Sequence, residues 1–299
     1  MIKNQVLKGV FLVGLGASSY GMLATFVRLA YDEGYSTPEV TSAQFTLGIL
    51  GMLVINFFQR KKKGNQTVQA SPKNILHLIL AGTSLGMTSL FYYLAVKYIP
   101  VSIAIVLLMQ TVWMGVVVEM AIDKKLPSLK KLGAVVVVLL GTLLATNVIE
   151  TTTILDWRGL VLGLLAATSF TATMFTANHI ANHISSAQRS LYMLLGGAII
   201  VFTFGYFTQT GPYQWSIFSK WGLVLALFGT IIPPLLLNAG FPLTGIGLGS
   251  IVAAIELPVS VTMAYFLLSE KVTLLQWTGI LLIIIAIVIM NTSAQKKQV

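Results

Sequence analysis

Glu256 stands in the apolar run Ile251-Val252-Ala253-Ala254-Ile255-Glu256-Leu257-Pro258-Val259. A carboxylate in such a run is costly in hydrocarbon, so it should face a bundle interior or a wet cavity. Proton coupling and pairing with a substrate amine are its two functional uses. The structural alternative is that it satisfies backbone groups freed by Pro258. Ser260 lies four residues on, so the two share a helix face. Gln110 sits 146 residues before Glu256, also in an apolar run. Polar side chains of this kind also serve as glue between membrane helices, and for Ser260 glue is the favoured reading. Tyr20, Phe170, Tyr92 and Trp113 are candidates for the apolar wall of a binding cavity, since such sites are mostly apolar with a few polar anchors. Asn238 follows Pro233-Pro234 and precedes Pro242, Gly245, Gly247 and Gly249. A broken helix there would suit a substrate or ion site. A kink with close packing is the favoured reading, because Gly and Pro are common in membrane helices.

Other patterns are weaker. Gly82-Thr83-Ser84-Leu85-Gly86 has the spacing of a hydrolase nucleophile turn, but that turn needs a strand before it and here the context is an apolar helix. His179 and His183 have zinc-ligand spacing, but Ile180 stands where a metalloprotease carries its Glu. No cysteine is present, which removes thiol catalysis and a disulfide scaffold. No Gly-x-x-x-x-Gly-Lys-Ser/Thr motif occurs, so ATP does not drive the protein directly.

The elements that must position these residues follow from composition. Charged residues make up 9% of the 299 and hydrophobic ones 56%, with a mean hydropathy of +0.85. So few charges cannot cover a water-facing surface, where about 25% is usual, and lipid is the expected solvent. The net charge is +10. Its bases form short runs between apolar stretches, such as Arg60-Lys61-Lys62-Lys63, which set membrane orientation rather than bind nucleic acid. At about 20 apolar residues per crossing, ten spans are expected: Gly9–Ala30, Thr41–Phe58, Ile75–Val96, Val101–Ile122, Leu132–Val148, Gly159–Ala177, Leu191–Phe207, Trp221–Phe241, Ile251–Leu268 and Trp277–Met290. Glu256 is read as the one carboxylate well inside them. With the N-terminus cytoplasmic, fourteen Lys and Arg, Arg189 among them, fall on the inner side and five on the outer. Both termini are therefore placed in the cytoplasm, in the plasma membrane. Arg28, near an outer end, should snorkel or pair with Asp32 or Glu33.

The chain also repeats. Lys8-Gly9 matches Arg158-Gly159, and Ala17-Ser18-Ser19-Tyr20 matches Ala167-Thr168-Ser169-Phe170 at a shift of 150. Ser42-Ala43-Gln44 matches Ser186-Ala187-Gln188 at 144, Gly82-Thr83 matches Gly229-Thr230 at 147, and Gln110 and Gly133 meet Glu256 and Gly279 at 146. Five spans per half is odd, so the second half enters from the opposite face. The expected fold is an all-α integral membrane protein of ten transmembrane helices in two inverted five-helix repeats, 1–149 and 156–292, with a short cytoplasmic tail at 293–299. Such repeats build a central site and alternating access, and Gln110 should approach the same cavity as Glu256.

Glu256-Leu257-Pro258-Val259, then Leu267-Leu268-Ser269-Glu270, then Gln276-Trp277-Thr278-Gly279 resemble EamA-type members of the drug/metabolite transporter superfamily. The family pattern is a Glu with Pro-Val in span nine, a small residue plus Glu in the next loop, and Gln and Gly opening span ten. Here Leu257 separates Glu256 from Pro258, and the first half departs further, with Asp123-Lys124 in place of a Ser-Glu pair. The resemblance implies a secondary carrier of small metabolites, amino acids or drugs, most simply an exporter; an intramembrane enzyme or a channel is the alternative. Expected partners are a small-molecule substrate and the lipid bilayer, with no nucleic acid; a homodimer is left open. No catalytic residue, metal or cofactor is expected, apart from a coupled proton. Reporter fusions after Lys63, Lys125 and Arg189 are predicted to read cytoplasmic, and those near Tyr35, Thr152 and Tyr213 external. Opposite readings from the 60–63 and 124–125 loops would contradict this topology.

Overall fold

The computed structural model describes residues 2–63, 70–95, 98–99, 101–146, 156–269 and 271–296. The described residues form helices and turns, without strands. Lipid offers backbone groups no hydrogen-bond partners, and a helix satisfies them within itself. In chain order the helices are α1 (Ile2–Asp32), α2 (Thr37–Lys63), α3 (Pro72–Ala95), α4 (Val101–Leu108), α5 (Thr111–Asp123), α6 (Leu129–Ala145), α7 (Trp157–His179), α8 (Ser186–Thr208), α9 (Leu223–Ala226), α10 (Ile232–Thr244), α11 (Ile246–Ala253), α12 (Glu256–Leu267) and α13 (Leu274–Lys296). Among the described residues, eight stretches are long and apolar enough to cross a membrane: Gln5–Asp32, Thr37–Lys62, Pro72–Ala95, Ile103–Asp123, Trp157–His179, Ser186–Thr208, Phe218–Thr244 and Ile246–Leu267, with Leu274–Met290 a shorter apolar helix. The protein is a multi-pass membrane protein. Its outer face carries large apolar side chains, as on α2, where Leu50, Leu53, Val54, Phe57 and Phe58 are all exposed.

Local chemistry sets the helix starts. Ser128, Asp156 and Ser185 cap α6, α7 and α8 by accepting the backbone N–H of Lys131, Arg158 and Gln188. Ser36 and Glu39 form a capping box on α2, in which Glu39 Oε2 accepts Ser36 N–H at 2.7 Å. Expectations at Thr152 and Glu270 lie outside the described residues, as do the side chains of Lys63 and 291–299.

Close contacts give the helices their directions. A Cβ on Gly9 would lie 2.7 Å from Leu243 Cβ, and one on Gly16 3.1 Å from Leu237, so α1 and α10 run antiparallel. Gly14 faces Val252 and Gly21 faces Val259, so α1 runs parallel to α11 and α12. Asn178, at the end of α7, donates to Phe241 O near the end of α10. The end of α7 therefore lies with the start of α1. The tightest crossing pairs α3 with α8 through Gly82, Gly86, Gly196 and Gly197, where a Cβ on Gly86 would sit 2.9 Å from Gly197 Cα. Small residues let two backbones approach this closely in lipid.

Two long segments break near mid-course. α4 gives way to α5 at Met109-Gln110, and α11 to α12 at Ala254-Ile255. The stretch 218–244 stays helical but widens into π-helical turns at Phe218–Gly222 and Leu227–Ile231, just ahead of Pro233-Pro234. Proline lacks the N–H that an α-turn needs, and a wider turn accommodates the loss. The positive φ of Gly245, +76°, then turns α10 directly into α11.

Two charged residues differ from the sequence reading. Arg189, counted with the loop bases, is 2% exposed inside α8. It lies four residues past the Ser185 cap, where the helix is already enclosed. Glu119 is a second carboxylate inside a span; it pairs with Lys131 across the α5–α6 turn and accepts Gly247 N–H at 3.3 Å.

Gly86→Leu should separate α3 from α8, with a cost of about 1–3 kcal/mol of the kind seen for overpacked cores. A melting temperature several degrees lower in detergent is expected. Gly133→Ala, where nothing lies within 4 Å of the added Cβ, should melt at or slightly above the parent. Equal melting of Gly86→Leu and the parent would contradict the crossing.

Candidate substrate cavity

A cavity of about 630 Å³ lies between α1, α3, α7, α12 and the Gln44 turn of α2. Its wall includes Tyr20, Gln44, Phe45, Tyr92, Tyr93, Phe170, Thr230, Glu256 and Ser260. It extends to the exposed residues Arg28, Asp32 and Lys271 at one end of the bundle. Arg28 there pairs with Asp32 at 3.5 Å.

Glu256 opens α12 at the break that follows Ala254-Ile255. Its Oε2 is buried and has no hydrogen-bond partner. The structural alternative for this residue can be checked against the backbone. Pro258 leaves Ala254 O without its usual partner four residues on. Leu257 N–H fills that place, donating to Ala254 O at 3.2 Å. Pro258 O is in turn bonded by Thr262 Oγ1 at 2.7 Å. The proline is thus accommodated without the carboxylate, which is left facing the cavity. α1 lies directly against this turn, because Gly21 has no side chain to hold it off the Glu256 and Ser260 backbone.

Tyr20 and Phe170 meet edge to face, with ring centroids 6.2 Å apart. Both line the large cavity and also a void of about 20 Å³ shared with Pro234, Asn238 and Phe241. The pair forms the floor between the two spaces. Beyond it the bundle is closed by polar contacts. The Arg189 guanidinium donates to Ile180 O at 3.0 Å, Asn238 O at 2.6 Å, and Thr176 O and Ala177 O at 3.2 and 2.5 Å. Four carbonyls thus share one buried cation, three of them at the C-terminal end of α7, where a helix dipole favours positive charge. Asn238 Nδ2 donates to Ser190 Oγ at 2.9 Å. Asn178 donates to Phe241 O at 2.5 Å.

Of the residues singled out from sequence, the structure brings Glu256, Ser260, Tyr20, Phe170 and Tyr92 to one cavity wall. Asn238 lies beyond the floor, buried in the closed end. Gln110 and Trp113 are elsewhere. Gln110 Nε2 donates back to Val106 O at 3.0 Å, and its Oε1 accepts Trp113 Nε1–H at 2.8 Å. Trp113 is 39% exposed. Gln110 immediately precedes α5 and Trp113 lies in its first turn, three residues on, so their side chains bond each other, and neither is among the cavity residues. Ser84 donates to Ala81 O and bonds Thr173 Oγ1, each at 2.7 Å. His179 stacks on Phe175 while His183 bonds Asn74. Gln44 escaped the sequence reading as a site residue, although its pairing with Gln188 in the repeat marked the position.

The antiparallel helices around a shared cavity define a membrane protein of two matched halves. The model of the EamA-like transporter family matches residues 7–147 and again 157–292, and the chain belongs to that family. One solved crystal structure, whose name states no function, superposes with a TM-score of 0.75 at 14% identity, covering 96% of this chain and 97% of its own. That likeness shows the fold alone. No curated protein matches the chain.

Arg189→Met should leave the carbonyls of Ala177, Ile180 and Asn238 short of a donor, at about 1–3 kcal/mol for each buried group left unpaired, while Thr176 O keeps the Ile180 N–H. A clear loss of thermal stability is expected. Arg189→Lys should recover only part of it, because one ammonium cannot copy the planar fork that spans three elements. Full recovery by Lys would show that charge alone suffices.

Proposed function

We propose that the protein is a secondary carrier that moves a small metabolite, amino acid or drug across the plasma membrane by alternating access, as an exporter. In this reading ten helices form two inverted repeats, with both termini in the cytoplasm. The opposed directions of α1 and α7 favour inversion, as do the breaks at Met109-Gln110 and Ala254-Ile255, placed 145 residues apart. The bias of Lys and Arg favours the orientation, which puts the Asp32 and Lys271 end outside. The cavity then faces outward, above the Tyr20–Phe170 floor and the Arg189 contacts.

One observation carries the proposal: the carboxylate of Glu256 sits unpartnered on the wall of a cavity of about 630 Å³ between the two matched halves. Such a group binds substrate, proton or both, and exchanging which end is closed carries it across. The cavity is closed beneath, which favours a carrier over a channel.

In vesicles holding the purified protein, counterflow of a panel of amines, amino acids and amides should saturate for at least one solute. An imposed pH gradient should drive that flux, and Glu256→Gln should abolish the drive at normal expression. Flux that rises linearly without saturation would favour a channel. An unchanged pH response in Glu256→Gln would remove the coupling role.

A further inference from the structure

The polar groups on the deep wall of the cavity are unevenly matched. Glu256 Oε2 and Gln44 Oε1 are both buried hydrogen-bond acceptors without a partner. Gln44 is only 4% exposed, and its amide lies against Gly229 on the cavity wall. Buried acceptors left unpaired are costly, and a ligand that donates to them recovers that cost. An ammonium group supplies donors and no acceptor. The rings of Tyr20, Tyr92, Tyr93 and Phe170 surround the same space, and aromatic faces attract cations.

Among the described residues, no cation lines the deep wall. The lining cations, Arg28 and Lys271, are both exposed. Arg28 lies seven residues along α1 from Gly21, the residue that packs on the Glu256 backbone, which is about 10 Å at the helical rise. Its charge is already met by Asp32. A ligand carboxylate at the depth of Glu256 would find a like charge and aromatic rings, with no cation to pair with.

We propose that this cavity selects organic monocations, ammonium ions carried on an apolar or aromatic body, over their neutral analogues and over zwitterions. The proposal rests on reading the cavity as the substrate site of a carrier. The ammonium pairs with Glu256, and the body lies against the tyrosine and phenylalanine rings above the Tyr20–Phe170 floor, toward the Gln44 amide. Glu256 supplies the charge and Gln44 fixes the orientation.

Three probes of one shape test it: phenethylamine, the neutral 2-phenylethanol and the zwitterion phenylalanine, titrated calorimetrically into the purified full-length protein in detergent. Phenethylamine should bind at least tenfold tighter than either of the others. Glu256→Gln should remove that preference over 2-phenylethanol, and Gln44→Leu should weaken phenethylamine severalfold. The parent comparison stands alone if either variant fails to fold. Equal affinities, no binding of phenethylamine, or phenylalanine binding as tightly would overturn the proposal. Counterflow of the same probes separates it from the carrier reading. Selective binding without saturable flux removes the carrier and leaves the selectivity. Saturable flux of phenylalanine without phenethylamine binding does the reverse.

Discussion

A carboxylate without a partner is stable at the depth of a bilayer only beside water, a proton or a cation. Glu256 is in that position: its Oε2 is buried and unbonded, and the proline beside it makes no use of it. The architecture around it follows. α11 stops at Ala253 and α12 restarts at Glu256, so the side chain issues from a break rather than from a continuous helix face. α1 is held on that break by Gly21, and the Tyr20, Tyr92 and Phe170 rings complete the walls. The cavity gives that carboxylate something other than lipid to face.

The ends of the bundle are held by different chemistry. At the end near the start of α1, buried donors bind carbonyls: Arg189 reaches four of them and Asn178 another. Glu119, Lys131 and Gly247 N–H fasten the α5–α6 turn to α11 at the same end. At the opposite end the ion pairs are exposed, Arg28 with Asp32 and Lys220 with Glu33. Exposed pairs of that kind contribute about 0–1 kcal/mol, whereas buried carbonyls stripped of a donor are expensive. The opposite end is not held by exposed pairs alone: Glu39, 2% exposed, accepts Gln214 N–H at 2.6 Å there.

Much of the fold was legible in the sequence. Apolar runs marked the helices, matched dipeptides marked the two halves, and the Glu256-to-Gly279 motifs resembled the family whose model spans both halves. Glu256 stood out because a charge in an apolar run has few structural uses. What was hidden depends on partners distant in sequence. Arg189 read as a loop base, since nothing local shows that the carbonyls of Thr176, Ala177 and Asn238 converge on it. Gln110 read as the mate of Glu256 by its position in the repeat. Its neighbour Trp113 supplies a partner three residues away and keeps it from the cavity. Gln44 was visible only as a repeat match, because an amide becomes a candidate ligand group only when it is seen to lack a partner.

The central claim is that one cavity serves both faces of the membrane in turn. Because the chain has no cysteine, a single Ser260→Cys substitution on the cavity wall is an unambiguous probe. A membrane-impermeant maleimide, applied to vesicles of each orientation, should label the introduced thiol readily from the Asp32 and Lys271 face. Labelling from the opposite face should be slow and should rise when a transported solute is supplied. Labelling from one face only, whatever solute is present, or reaction solely with lipid-soluble reagents, would contradict the account.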